Sequence, residues 1–184
     1  MKYKALLLVG PPGVGKSTLM QAVAAHAGWT PHPRPTEKVP HVLWVNPKTV
    51  DLEAIEMGVL RPGHPGTDAL RMDISNAAKR WMNTLPAPLV LLDGARLATQ
   101  PFVLAAHGSG YRPVVVHLDA PQEVLDQRCA QRGSKQNQAW RKGAATRAKN
   151  LHTWADGTGY CTTLRLDATQ PPATLAARVW EALA

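Results

Sequence analysis

"GPPGVGKS", residues 10–17, decides the fold. It fits the pattern G-x-x-x-x-G-K-[ST] through Gly10, Gly15, Lys16 and Ser17. The spacing answers a physical need. A polyphosphate tail is held by backbone N–H groups of a glycine loop and of the helix that follows, by a lysine ammonium on its outer phosphates, and by a hydroxyl that coordinates Mg²⁺. Gly13 and Gly15 let the backbone approach where a Cβ would obstruct it. Pro11, Pro12, Val14 and Thr18 complete the loop, so Gly10 to Thr18 form the expected ATP site, with Mg²⁺ on Ser17. The flanks supply the context the motif requires. "KALLLV", 4–9, is an apolar run suited to a strand buried on both faces, and "STLMQAVAAHAG", 17–28, spaces Leu19, Val23 and Ala24 helically before stopping at Gly28.

Outward from this unit the chain alternates strand and helix. "PLVLLDG" (88–94), "RPVVVHLDA" (112–120) and "TTLRLDA" (162–168) read as strands. "FVLAAHGSG" (102–110), "PQEVLDQRCAQRG" (121–133) and "PPATLAARVWEALA" (171–184) read as helices, the last with Leu175, Val179 and Leu183 aligned. A further helix is expected from Asp68 to Leu85, with Leu70, Ile74, Ala77 and Trp81 on one face. Between Trp29 and Gly66 prolines crowd the chain; "HVLWV" (41–45) reads as a strand and "VDLEAIEMGVL" (50–60) as a short helix. Strands alternating with helices imply right-handed crossovers and a three-layer α/β/α sandwich around a mostly parallel sheet. With no internal repeat or linker, residues 1–184 are expected to form a single domain.

The chain has 184 residues, of which 45% are hydrophobic and 18% charged, a globular rather than a disordered composition. A formal charge of +8 admits nucleic acid, nucleotides or an anionic surface as partners. Cys129 and Cys161 have no CxxC spacing, which favours a reducing compartment and a packing role. The apolar run at the start is too short for a secretory signal, and no segment approaches the roughly 20 apolar residues that cross a bilayer. A cytoplasmic protein without a membrane partner is expected. The seven histidines show no zinc spacing.

Beyond the loop, Asp93 ends an apolar strand at the edge where α/β sheets bind ligands. There a carboxylate holds Mg²⁺ or takes the proton of an attacking hydroxyl. Asp119, also at a strand end, is the structural counterpart, a carboxylate that caps its own turn. "RGSKQNQAWRKGAATRAKNL", 132–151, is strongly basic and contains no carboxylate. Arg128 and Arg132, four apart, project from one helix face, and with Arg141 they are candidates to clamp a phosphoryl group in transfer. Lys135, Lys142, Arg147 and Lys149 are either solvated or follow an external phosphate backbone. Asp68 either caps the helix that follows it or activates an acceptor hydroxyl, with Arg71 near the acceptor's phosphate; His64 reads as a loop residue.

"GPPGVGKST", "LVLLDG" and "RCAQRG" together resemble the small P-loop kinases of nucleosides, nucleotides and sugars. The resemblance implies a P-loop fold of the small-kinase type with a lid at about residues 128–150, and an adenine site formed by Arg128 and the turn after "LRLD". More narrowly, "GTDALRMDISNAAKRW", "LLDGARLA" and the basic stretch resemble bacteriophage kinases that phosphorylate 5-hydroxymethyldeoxyuridine already incorporated in DNA, a step toward hypermodified thymine. "LRMDIS" departs from that pattern, where smaller residues are expected. The narrower resemblance implies transfer of the ATP γ-phosphate to the hydroxymethyl oxygen of a modified pyrimidine in DNA, in the host cytoplasm, with Asp68 or Asp93 as the base. Trp140 either stacks on a base or packs. The alternatives are a kinase of a free nucleoside or nucleotide, and an ATP-dependent DNA-binding protein that transfers nothing.

Overall fold

The structure is a computed structural model and describes residues 3–59, 70–134 and 136–184. At its centre β1 (Tyr3–Val9) carries the apolar run expected of a doubly buried strand, and α1 (Lys16–His26) leaves it through the glycine loop. The sheet continues with β2 (Thr30–Arg34), β3 (His41–Val45) and β4 (Leu52–Met57). After α2 (Ser75–Met82) come β5 (Leu89–Asp93), α3 (Gln100–Gly108), β6 (Tyr111–Asp119) and α4 (Gln122–Gln131). A long helix, α5 (Gln138–Asp156), then β7 (Thr162–Asp167) and α6 (Pro172–Leu183) complete the order.

Among the described residues the strands form one seven-stranded sheet in the order β2-β3-β4-β5-β1-β6-β7. From β4 to β7 every pairing is parallel, while β3 runs antiparallel to both its neighbours. Alternation along each strand sends side chains to two faces. Leu6, Leu8, Leu91 and Val116 meet α1 and α6, whereas Leu7, Val90, Leu92 and Val115 meet α2, α3 and α5. The expected three-layer α/β/α sandwich is therefore present.

Three local readings change. "LEAIEM" is strand β4 and not a helix, because pairing with β3 and β5 on its two sides outweighs the helix preference of Leu, Glu, Ala and Met. "TPHPR" is strand β2; prolines are tolerated because it lies at the sheet's edge, bonded only to β3. The helix expected from Asp68 begins, as α2, at Ser75 after a turn over Arg71–Ile74, although Leu70 and Ile74 are buried as anticipated.

Candidate active site

The glycine loop sits at the carboxyl end of β1, and its shape depends on glycine at two positions above all. Gly10 has φ +151°, and a Cβ there would stand 2.5 Å from the Leu118 carbonyl oxygen. At Gly13, φ +81°, a Cβ would meet Cys129 Sγ at 2.8 Å. The loop is thus pressed against β6 and α4, which explains the buried Cys129. Gly15 occupies the N-cap of α1 and offers no side chain to its first-turn N–H groups. That is the arrangement of an anion-binding helix end.

Lys16 Nζ donates to the carbonyls of Gly10 (3.0 Å) and Pro11 (3.1 Å), which holds the ammonium within the loop. Ser17 Oγ donates to Asp93 Oδ2 at 2.7 Å. The pairing of Leu8 with Asp93 across β1 and β5 produces this contact, since it puts the strand-end carboxylate beside the first turn of α1. Asp119, its counterpart on β6, is used differently: one oxygen accepts from its neighbour's Ala120 N–H at 3.0 Å and the other from Arg165 at 2.6 Å. The Arg165 guanidinium holds the Asp119 carboxyl below its usual range.

A second carboxylate near this corner escaped the sequence reading. Glu56 on β4 is buried, faces the same side of the sheet as Asp93, and accepts a hydrogen bond from Trp44 Nε1 at 3.0 Å. Burial pushes its carboxyl up from 4.5 to about 8; the charge of Asp93 acts in the same direction and the Trp44 bond against it. Two carboxyls so placed cannot both ionise cheaply, and this favours the protonated form of Glu56. The signal was present in "AIEM": read as a strand, the sequence puts Glu56 in an otherwise apolar, doubly paired segment.

A cleft of about 750 Å³ runs from the glycine loop past Asp93 to α4, α5 and the turn after β7. Arg128 and Arg132 both line it, as their spacing predicts. Arg128 donates to Val14 O (3.2 Å) and Ala168 O (3.0 Å), bridging the loop to the turn after "LRLD". Two of its five N–H donors are thereby committed to backbone carbonyls. Arg141 goes elsewhere, to Asp126 on α4 at 2.6 Å, and does not line the cleft. Arg147, read from sequence as either solvated or following an external phosphate backbone, is exposed and lines it, together with Trp140, Ala144 and Ala148. Lys142 and Lys149 are exposed. Arg71 forms an exposed pair with Asp73, and Arg96, unremarked in the sequence, fastens Leu70 O at 2.6 Å beside the cleft. Asp68, His64 and Lys135 lie outside the described residues.

The donor set suits Mg²⁺ and ATP. A hydroxyl and a carboxylate side by side are the hard oxygen ligands Mg²⁺ prefers, and this ion takes one or two protein groups plus phosphate oxygens and water. Among the described residues no cluster of three His, Cys, Asp or Glu side chains forms a metal cage.

A family model described as P-loop Nucleotide Kinase3 matches residues 1–166. The chain belongs to this family. Membership makes it a P-loop kinase-type phosphotransferase. Solved structures similar to this family member include a sugar kinase from Janibacter sp. HTCC2649, at 18% identity and a TM-score of 0.50 over 98% of this chain and 94% of that one. Others are a gluconokinase from Sinorhizobium meliloti 1021 (17%, TM-score 0.49, 99% and 92%) and an APS kinase from Mycobacterium tuberculosis (15%, TM-score 0.48, 99% and 98%). At 18% identity the likeness to the sugar kinase is one of fold alone. No curated protein matches in sequence. Among the described residues no helix is long and apolar enough to cross a membrane.

Proposed function

We propose that the chain is an ATP-dependent kinase that moves the γ-phosphoryl group to an alcohol of a nucleoside or nucleotide. The observation that carries this reading is the 2.7 Å contact between Ser17 and Asp93 at the head of a cleft that continues to an arginine-bearing wall. The loop N–H groups and Lys16 bind the triphosphate. Ser17 and Asp93 are the residues that would hold Mg²⁺, which neutralises charge on the outer phosphates. Arg128 offers its face to the adenine, and Arg132, at the cleft, meets the charge that spreads over the phosphoryl oxygens in transfer. The acceptor oxygen forms a bond to the γ-phosphorus as the bond to the β–γ bridging oxygen breaks; ADP departs and the acceptor's proton goes to Asp68 or Asp93. Arg141 acts at one remove, by tying α5 to α4 through Asp126.

A second reading takes the acceptor to be 5-hydroxymethyluracil within DNA. The exposed Lys142 and Lys149, on the helix that forms one wall of the cleft, favour it, because they suit a polyanion rather than a small ligand. Labelled ATP is incubated with the protein and either free 5-hydroxymethyldeoxyuridine and its monophosphate or a hydroxymethyluracil duplex, and products are resolved by mass spectrometry of nucleosides. Label on the free compounds supports the first reading; label confined to the polymer supports the second. Release of inorganic phosphate alone, with DNA bound, would overturn both in favour of an ATP-dependent DNA-binding protein.

A further inference from the structure

Trp140 is the one tryptophan of the chain that the fold leaves largely in the open, at 43% exposure. The other five are engaged. Trp44 donates to Glu56 and Trp180 to Val23 O; Trp29 packs edge-on to Trp180, Trp81 against His41 and Trp154 against Tyr160. Among the described residues the Trp140 indole has neither a ring contact nor a hydrogen bond, yet its backbone is fixed. Asn137 caps α5 and accepts from Trp140 N at 2.8 Å, which holds Trp140 in the helix's first turn.

Its neighbours on the helix give the exposure a meaning. Trp140, Ala144 and Ala148 recur every four residues, so they share one face of α5, with Arg147 beside them, and all four line the cleft. Ala144 and Ala148 are buried and small, so they form a shallow floor next to a large flat ring. Ala98 and Thr99, in the turn after β5, also line the cleft. An aromatic plane over a small apolar floor, with a guanidinium at its edge, fits a planar ring that carries an anionic group. A polyol offers no π-face to such a surface.

We infer that the acceptor of the phosphoryl group is a nucleobase unit that stacks on Trp140 above Ala144 and Ala148, with Arg147 receiving its 5′-phosphate. The inference rests on the kinase reading and deepens it by assigning the acceptor's ring to Trp140 and its phosphate to Arg147. Free nucleotide and base within a strand present the same ring, so the test carries an arm for each. Binding is measured by calorimetry with Mg²⁺ and a non-hydrolysable ATP analogue present. The probes are 5-hydroxymethyldeoxyuridine, its 5′-monophosphate, a single-stranded oligonucleotide containing hydroxymethyluracil, and gluconate.

Trp140→Ala is expected to weaken the ring-bearing probe that the parent binds by about 10- to 100-fold, the range of one lost base-stacking contact, while affinity for the ATP analogue is unchanged. Trp140→Phe is expected to recover most of the loss, since a phenyl ring still offers a face. Arg147→Met is expected to weaken the monophosphate more than the nucleoside. If the parent binds the analogue but the ring probes bind parent and Trp140→Ala alike, the inference fails while the kinase reading stands; if only gluconate binds, the inference fails and the nucleoside acceptor of the kinase reading fails with it. If the folded parent does not bind the analogue, it is the kinase reading that fails.

Discussion

Replacing Glu56 with glutamine tests the electrostatics behind Asp93 without removing a group from the cleft. The folded chain keeps a proton on Glu56 up to about pH 8, whereas an ordinary glutamate releases it near 4.5. Below 4.5 both states are protonated and the stability is fully present. Between the two values the folded state holds a proton that the unfolded state has given up, so stability falls as pH rises and levels off above 8. That interval, at about 1.4 kcal/mol per pH unit, sets a ceiling of about 5 kcal/mol. Coupling to Asp93 and relaxation around the buried carboxyl reduce this, so a loss of a few kcal/mol is expected. Glutamine keeps a carbonyl oxygen for Trp44 Nε1 and titrates nowhere in the range. Urea denaturation of metal-free protein at about pH 5 and about pH 8.5 should therefore show similar stabilities at the lower pH and a more stable Glu56→Gln variant at the higher one. Parallel stability curves, offset by the same amount throughout, would refute the reasoning, because the carboxyl would then titrate alike in both states.

Lys16→Ala is expected to lower kcat/KM by about 10²–10³-fold in a coupled ADP-release assay, as loss of a preorganised cation facing the transferring charge does elsewhere. Gly10→Ala puts a Cβ against the Leu118 carbonyl at a backbone angle that L-residues rarely adopt, and should cost about 1–3 kcal/mol in urea denaturation; an unchanged midpoint would mean that the loop is not pressed against β6. His117 on β6 is held neutral, chiefly by burial; His152 and Lys149 of α5 and Arg165 of β7 act in the same direction, and Asp119 against it. Its stability contribution is present above the ordinary 6.5 and is lost as pH falls through the lowered value, so thermal melts of His117→Gln should lose part of the parent's acid limb.

Much of the site was legible because its requirements are local. A glycine loop between an apolar run and a helix leaves little choice, and Asp93 stands out as the charged end of five buried residues. What could not be read depended on partners distant in sequence. Leu52–Met57 has a helical composition, and only β3 and β5 make it a strand; reading it as a helix hid Glu56, the buried acid that keeps its proton beside Asp93. Charge in the basic stretch was plain, yet the spacing of arginines does not say which face of α5 meets α4. Arg141, a clamp candidate by its place in the sequence, pairs with Asp126 away from the cleft, and Arg147, read as either solvated or following an external phosphate backbone, is exposed and lines it.

The basic stretch also divides mechanically, which bears on how the cleft closes. Ala144, Ala148, Leu151 and Ala155 form the buried stripe of α5, with the last three packed into the core beneath the sheet. Toward its start the helix is tied to α4 by the Arg141–Asp126 pair, whose side chains are 26% and 50% exposed. A pair so open to solvent contributes about 0–1 kcal/mol, whereas burying a leucine such as Leu151 contributes about 1.5–3 kcal/mol before the alanines are counted. The carboxyl half of α5 is therefore docked by apolar burial, and its first turns are held by an ion pair that salt weakens. If the cleft closes over a bound triphosphate, the expected moving part is those first turns, which carry Trp140, rather than the whole basic segment. Arg147 lies on the docked side of that division, so a closing motion changes the distance from Trp140 to the glycine loop more than that from Arg147.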